Sequence, residues 1–208
     1  MTIIKPSDGI LRAITVREPW ATLCCMGIKT CEIRSWDWSV AAFPFPMTVA
    51  VHASADSLTI DEDIDWAINK HEDAYYAFEN PDCQPLVAGK DFFYGQAIVG
   101  LVDVIGSMLI NPTWSKKEKT KQIVNAGFDA MYADWAEGPY SFFLANPRRF
   151  KTGIQCPGNL KVWKLKPEIQ AYIEENQNNL LPRRPAPDFE LLPTAPKGNV
   201  RLLGKLGK

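Results

Sequence analysis

Three charged residues lie within six positions of one another, Lys29, Glu32 and Arg34, and their types suit either binding or catalysis. The two cations could hold a phosphate, while the carboxylate orients Arg34 or accepts from an exocyclic amine. Alternatively, burial could lower the pKa of Lys29, which would then act as a base or nucleophile with Glu32 moving the proton. A third interpretation is structural, because a Glu32–Arg34 ion pair can simply pin a strand.

The residues around this charged group predict how it is positioned. Pro19 suits the start of a short helix and Gly27 suits its left-handed end. From Thr30 onward polar and apolar residues alternate, which predicts a strand with Glu32 and Arg34 on one face. Lys29 lies at the boundary between turn and strand. If the strand begins after it, all three charged side chains can converge on one groove.

Aromatic residues flank the same stretch. Trp20 and Trp36 could stack on a base, as aromatic side chains do in proteins that bind single strands, or they could lie in the core. His52 is on a predicted strand, 47–53, in which Met47 and every second residue after it face the core. His52 then faces solvent or a cavity, where it is either a hydrogen-bonded structural residue or a contact to a substrate.

The rest of the chain indicates a mixture of strands and helices. Gly100, inside an apolar stretch, predicts a bulge or bend of the kind that lets a small sheet curl. Two S/T-x-x-E capping boxes, at 59–62 and 115–118, predict helix starts. The lysines in the first turns of the helix that begins at 115–118 are either a solvated surface or a site for a phosphate-bearing partner. The predicted strands are 10–16, 30–34, 47–53, 95–105, 140–145 and 160–165, and the predicted helices are 19–26, 60–79, 115–135 and 167–178.

Composition limits the classes of protein. A net charge of −1 gives no global field for nucleic acid or a membrane surface, and 46% hydrophobic residues suffice for one sizeable core. We predict one domain over residues 1–179 and a proline-rich tail over 180–208 with six basic and two acidic residues, a net charge of +4. Sequence-specific DNA binding is not implied, and no secretory leader or membrane span is predicted.

Five cysteines without paired Cys-x-x-Cys elements favour a reducing cytoplasm and no structural metal. Cys31, inside the charged stretch, is either a buried core thiol or a reactive one beside Lys29. We therefore expect a cytoplasmic protein with no metal and no cofactor.

The spacing Gly27-x-Lys29-x-x-Glu32-x-Arg34 matches the signature of the ASCH (ASC-1 homology) family, and the chain resembles that family over roughly residues 10–166. A lone match to this signature would be weak, but four further stretches occur in the same order as their counterparts in longer members. These are Arg17-x-Pro19-Trp20, Val51-His52-Ala53-Ser54, Gly95-x-Ala97-Ile98-Val99-Gly100, and Gly138-Pro139-Tyr140 with Leu144-Ala145-Asn146-Pro147-Arg148.

The resemblance implies an α+β fold: a small mixed or antiparallel PUA-like β-barrel with surrounding α-helices. It also implies a cleft for RNA or a modified nucleoside or nucleotide, containing Lys29, Glu32 and Arg34 and lined by Trp20, Ser35 and His52. Some relatives are metal-independent amidohydrolases that deacylate N4-acetylcytidine, and another branch has ribonuclease activity. On that alternative, Lys29 and Glu32 are the candidate catalytic residues.

The match to the amidohydrolase pattern is incomplete. In those relatives a threonine stands three positions after the motif lysine, where this chain has Glu32. Thr30 is present, but at a different spacing. The amidohydrolase mechanism therefore cannot be carried over intact, and the sequence leaves binding, catalysis and a regulatory interaction domain open.

Overall fold

The computed structural model describes residues 2–38, 44–55, 60–70, 95–180 and 201–202. The strands are β1 (Arg12–Val16), β2 (Cys31–Arg34), β3 (Met47–Ala53), β4 (Ala97–Leu109), β5 (Tyr140–Gln155), β6 (Val162–Lys164) and β7 (Arg201–Leu202). The helices are α1 (Trp20–Met26), α2 (Ile60–Lys70), α3 (Lys116–Asn125), a 3₁₀ helix (Ala130–Asp134) and α4 (Pro167–Glu175). None of these helices is long and apolar enough to cross a membrane.

The strands form a mixed, curled sheet in the order β2-β5-β4-β3-β1-β6, and the fold is α+β. Strand β1 pairs parallel with β3, the other pairs along this path are antiparallel, and β7 adds two parallel residues to β4. The register between β4 and β5 shifts three times, and one shift lies at Gly100 as predicted. A Cβ at Gly100 would lie 2.1 Å from the Arg148 carbonyl oxygen, so only glycine fits there.

One face of strand β3 was predicted to be wet or to line a cavity, and the first alternative is wrong. All seven of its residues are buried, because the sheet is covered on both sides. Val49 and Val51 pack in a cluster with α1, whereas Ala50 packs in a second cluster with α4. The polar members of β3 are accommodated by hydrogen bonds, such as the one from Thr48 Oγ1 to Asp103 Oδ1 at 2.6 Å.

Strand β5 is longer than predicted. The sequence Asn146-Pro147 was expected to end it, but the strand continues to Gln155. Asn146 takes a left-handed conformation (φ 47°) and donates from Nδ2 to Asp103 Oδ2 at 2.8 Å. The register shift between Leu101 and Asp103 absorbs this irregularity, so pairing resumes on the far side of Pro147.

The helix predicted over 115–135 is shorter than expected and is followed by a separate 3₁₀ helix. Ser115 and Glu118 form the predicted capping box, but α3 ends at Asn125, before Gly127 (φ 85°). Lys116 pairs with Asp134 at 2.6 Å, and Lys119 donates to the Ala136 carbonyl at 2.8 Å. Two of the crowded lysines thus hold the 3₁₀ segment against α3. Thr59 of the first predicted capping box, the predicted helix residues 71–79 and most of the tail lie outside the described residues.

Candidate functional site

A cleft of about 420 Å³ opens beside β2, at the end of β1. Four parts of the chain build its walls: the β1–α1 junction, β2 with the turn before it, α2, and the end of the 3₁₀ helix with the segment after it. The described residues that line it are Val16, Arg17, Trp20, Lys29, Glu32, Ile33, Arg34, Asp63, Trp66, Asp134, Trp135 and Glu137.

The turn after α1 directs Lys29 into this cleft. Gly27 is left-handed (φ 79°) as predicted, and the backbone N–H groups of Ile28 and Lys29 both donate to the Leu23 carbonyl. A Cβ on Gly27 would lie 2.7 Å from Pro147 Cγ, so the turn is also pressed against β5. Strand β2 begins only at Cys31. Lys29 therefore precedes the strand, so the alternation of side chains along β2 does not set its direction, and its side chain turns toward Glu32.

The side chains of Lys29, Glu32 and Arg34 converge on the floor of the cleft. The direction of the Lys29 side chain, which the sequence left open, is therefore toward the other two. Glu32 Oε2 lies 2.9 Å from Lys29 Nζ, and Glu32 Oε1 lies 3.0 Å from an Arg34 terminal nitrogen. Lys29 Nζ also donates to the Cys31 carbonyl, and Arg34 donates to the Thr15 carbonyl at 2.6 Å. One carboxylate thus holds two cations, each anchored on a second side by a backbone oxygen.

The environment keeps Lys29 protonated. Burial alone would lower its pKa, but the Glu32 carboxylate and its hydrogen bond outweigh burial and raise the pKa above the ordinary 10.5. This is the opposite direction from the one that a lysine base or nucleophile needs. As an ammonium, Lys29 can donate a hydrogen bond or stabilise negative charge.

Three indoles stand around the charged floor. Trp20 contacts Trp66 edge to face, with ring centroids 5.5 Å apart and planes at 84°. It also contacts Trp135 at 6.4 Å and 69°. Trp135 is buried, Trp20 is half-buried and Trp66 is 43% exposed. The cleft therefore has a corner made of indoles, with one ring accessible from solvent.

Two of the residues expected to line the cleft lie elsewhere. Ser35 is exposed past the end of β2 and is not part of the lining. His52 is buried among other residues: its Nε2 is 2.9 Å from the Cys156 carbonyl oxygen, and its ring packs edge to face on Trp163. Burial lowers the pKa of His52 against the opposing effect of that carbonyl. The structural interpretation therefore describes His52 better.

The flanking tryptophan Trp36 also lies outside the cleft lining, packed on Phe142 with ring centroids 5.1 Å apart. Cys31 is a core thiol, because its Sγ faces the Tyr132 carbonyl and burial raises its pKa far above 9.0. No cluster of three or more metal-binding side chains occurs among the described residues.

Sequence reasoning missed the lining residues contributed by other elements. Arg17 and Asp63 form an ion pair of 2.9 Å that ties α2 to the cleft. Trp66 follows Asp63 by three positions, which places both on one side of α2. This spacing is a signal within the sequence, but it does not show what the helix faces. Asp134 ends a separate 3₁₀ helix that the sequence did not predict, and Trp135 and Glu137 follow it.

Glu18 is a second buried carboxyl group next to the cleft, at the start of α1. It accepts hydrogen bonds of 3.0 Å from the Thr22 backbone N–H and from Thr22 Oγ1. Burial raises its pKa from 4.5 to about 7, despite those hydrogen bonds and the nearby charge of Arg149. Glu18 therefore fixes the first turn of α1, which carries Trp20.

Glu18 predicts a specific pH dependence of stability. Because the folded state holds this proton more tightly than the unfolded chain, the stabilisation is complete below pH 4.5 and is lost as the pH rises to about 7. We expect Glu18→Gln to remove roughly 2–3 kcal/mol of pH dependence between about pH 5 and 7.5. Urea unfolding of the wild type and of Glu18→Gln at these two pH values measures the change in the free energy of unfolding. Identical pH dependence in the two proteins would contradict the prediction.

Comparison with protein-family models gives no match for this chain, and comparison with curated proteins gives none either.

Proposed function

We propose that the cleft binds a nucleobase, presented by RNA or by a modified nucleoside or nucleotide, and that the chain is an ASCH-type domain with a PUA-like barrel. The supporting observation is the convergence of Lys29, Glu32 and Arg34 on the floor of a cleft that has three indoles in its walls. A volume of about 420 Å³ lies within the range of sites for small ligands, roughly 300–1,000 Å³.

The floor has hydrogen-bonding capacity left for a base edge. Lys29 Nζ has three donors, and the Cys31 carbonyl and Glu32 take two of them. Arg34 Nε is buried without a hydrogen-bond partner among the described residues. The carboxylate of Glu32 has further lone pairs beyond the two that its cations use. Carbonyl oxygens of a base can therefore accept from the cations, while an amino group donates to Glu32.

The indoles supply the second half of the recognition. Stacking on an aromatic side chain stabilises the binding of any of the bases, because each has a π-face. Trp66, at 43% exposed, offers a partly accessible ring for this contact. The role of the two cations then differs from the initial expectation of phosphate binding. Both already face the carboxylate of Glu32, so they serve a neutral polar edge better than a free phosphate.

The alternative is a hydrolase that acts on an acylated base or an RNA phosphodiester. Its mechanism would need another residue to supply the base, because the raised pKa of Lys29 keeps this amine protonated. Lys29 would instead stabilise negative charge as the reaction proceeds.

Binding is tested by calorimetric titration of the full chain with ribonucleosides, N4-acetylcytidine, their 5′-monophosphates and a short RNA. We expect at least one of them to bind, and Trp66→Leu to weaken that binding about tenfold through lost stacking. Tyr172→Leu is the control, since Tyr172 is 49% exposed on α4 and outside the cleft lining. Absence of binding by every ligand at millimolar concentration would refute the proposal. Deacetylation or RNA cleavage in the same samples would make the cleft an active site.

A further inference from the structure

The indole corner is suited to a ligand with positive charge. Trp20 meets both Trp66 and Trp135 at steep angles, 84° and 69°, so the rings present faces in more than one direction. The face of an indole carries negative potential and attracts a cation within about 6 Å of its centroid. A neutral base gains stacking from the same rings but lacks this electrostatic attraction.

The charges of the cleft also favour a cation over an anion. Three cations and four carboxylates line it, a net charge of −1: Arg17, Lys29 and Arg34 against Glu32, Asp63, Asp134 and Glu137. Each of the three cations already lies within 3.0 Å of a carboxylate oxygen in the lining. An added phosphate would therefore meet cations that are already compensated. Asp134 is compensated in turn by Lys116 at 2.6 Å, so the negative charge of the lining that has no ion pair among the described residues is that of Glu137.

Glu137 is the carboxylate best placed to meet an incoming cation. Its side chain is exposed and forms no ion pair with the described residues, whereas Glu32 and Asp63 each have cationic partners. Its backbone is fixed on both sides by Ser141, whose Oγ accepts from the Glu137 N–H at 3.0 Å and donates to the Glu137 carbonyl at 2.7 Å. A carboxylate on a fixed backbone thus stands at the edge of the cleft.

We propose that the cleft selects a nucleobase that carries a positive charge through ring N-alkylation over a neutral base of the same size. The inference rests on the proposed function, since it assumes that a base occupies the cleft. The cationic ring lies against the indoles, the Glu137 carboxylate offsets its charge from the rim, and the polar edge of the base meets Lys29 and Glu32.

Two isomeric ligands isolate the effect of charge. 1-Methyladenosine and N6-methyladenosine have the same atoms, but at about pH 6 only the first is a cation, while the exposed carboxylates remain ionised. Calorimetric titration of the full chain is expected to give about tenfold tighter binding of 1-methyladenosine. Glu137→Gln should reduce this ratio about threefold, chiefly by weakening the binding of 1-methyladenosine. The control is Glu168→Gln, an exposed glutamate on α4 outside the cleft lining, which should leave both affinities unchanged.

The outcomes separate this inference from the proposed function. Equal affinity for the two isomers, or tighter binding of the neutral one, overturns the preference for a cation but keeps base binding. A tenfold ratio that survives Glu137→Gln overturns the role assigned to Glu137. If neither these isomers nor the other nucleosides and RNA bind, both the preference and the proposed function fail.

Discussion

Glu32→Gln is expected to lower the free energy of unfolding by about 3–5 kcal/mol, because it leaves two cations facing each other without their shared carboxylate. The side chains of Lys29 and Glu32 are only 7% and 8% exposed, so water cannot replace the lost charge. Arg34, at 22% exposed, is better hydrated and contributes less of the penalty. Urea unfolding at neutral pH, monitored by circular dichroism, measures the change.

A surface pair provides the matched control. Glu174 lies 2.6 Å from Lys5, but both side chains are about a third exposed, so Glu174→Gln should cost at most about 1 kcal/mol. Adding Lys29→Met to Glu32→Gln should recover part of the loss, since it removes one of the uncompensated cations. A Glu32→Gln variant as stable as Glu174→Gln would mean that the floor of the cleft is solvated and that the ion-pair argument is wrong.

The charged floor could be predicted because local rules place it. The residue after a helix often takes the left-handed conformation of Gly27, and the period of a strand puts Glu32 and Arg34 on one face. Only the direction of Lys29 was undetermined, since it depends on where β2 begins. One residue of difference in that boundary reverses the direction of a side chain, and such boundaries are the least certain part of a sequence-based prediction.

The walls of the cleft could not be predicted because long-range packing places them. Trp66 and Trp135 meet Trp20 only after α2 and the 3₁₀ segment have folded onto α1. The surroundings of His52 could not be predicted for a related reason. Alternation indicated which residues share a face of β3, but not that α4 and Trp163 of β6 cover the face that was expected to be wet or to line a cavity. The mixed order of the sheet, with β1 parallel to β3, likewise has no local signal.

Asp103→Asn is expected to destabilise the fold about as strongly as Glu32→Gln, by about 3–5 kcal/mol, although Asp103 touches no part of the cleft. Its carboxylate accepts from Thr48 and Asn146 and pairs with Arg148, whose side chain is 3% exposed. An amide would leave the guanidinium of Arg148 buried without a counter-charge. The free energy of unfolding from urea titration measures the loss, with Asp65→Asn, on the exposed side of α2, as the control.

The hydrogen-bond network around Asp103 and the charged floor of the cleft differ in their expected effect on ligand binding. Asp103 binds Asn146 and Arg148, the two neighbours of Pro147 in the chain. Pro147 packs against Gly27, in the turn that precedes Lys29, so the network supports this turn from the side of β5. Asp103 itself does not line the cleft, so Asp103→Asn protein that is folded, with this turn in place, should bind the ligand found by titration within about threefold of wild type. Glu32→Gln should lose binding as well as stability, because the proposed mode of binding uses Glu32 directly. Loss of binding in folded Asp103→Asn, at a temperature where circular dichroism matches wild type, would show that β5 sets the geometry of the floor directly. Unchanged stability would show instead that Arg148 finds another counter-charge.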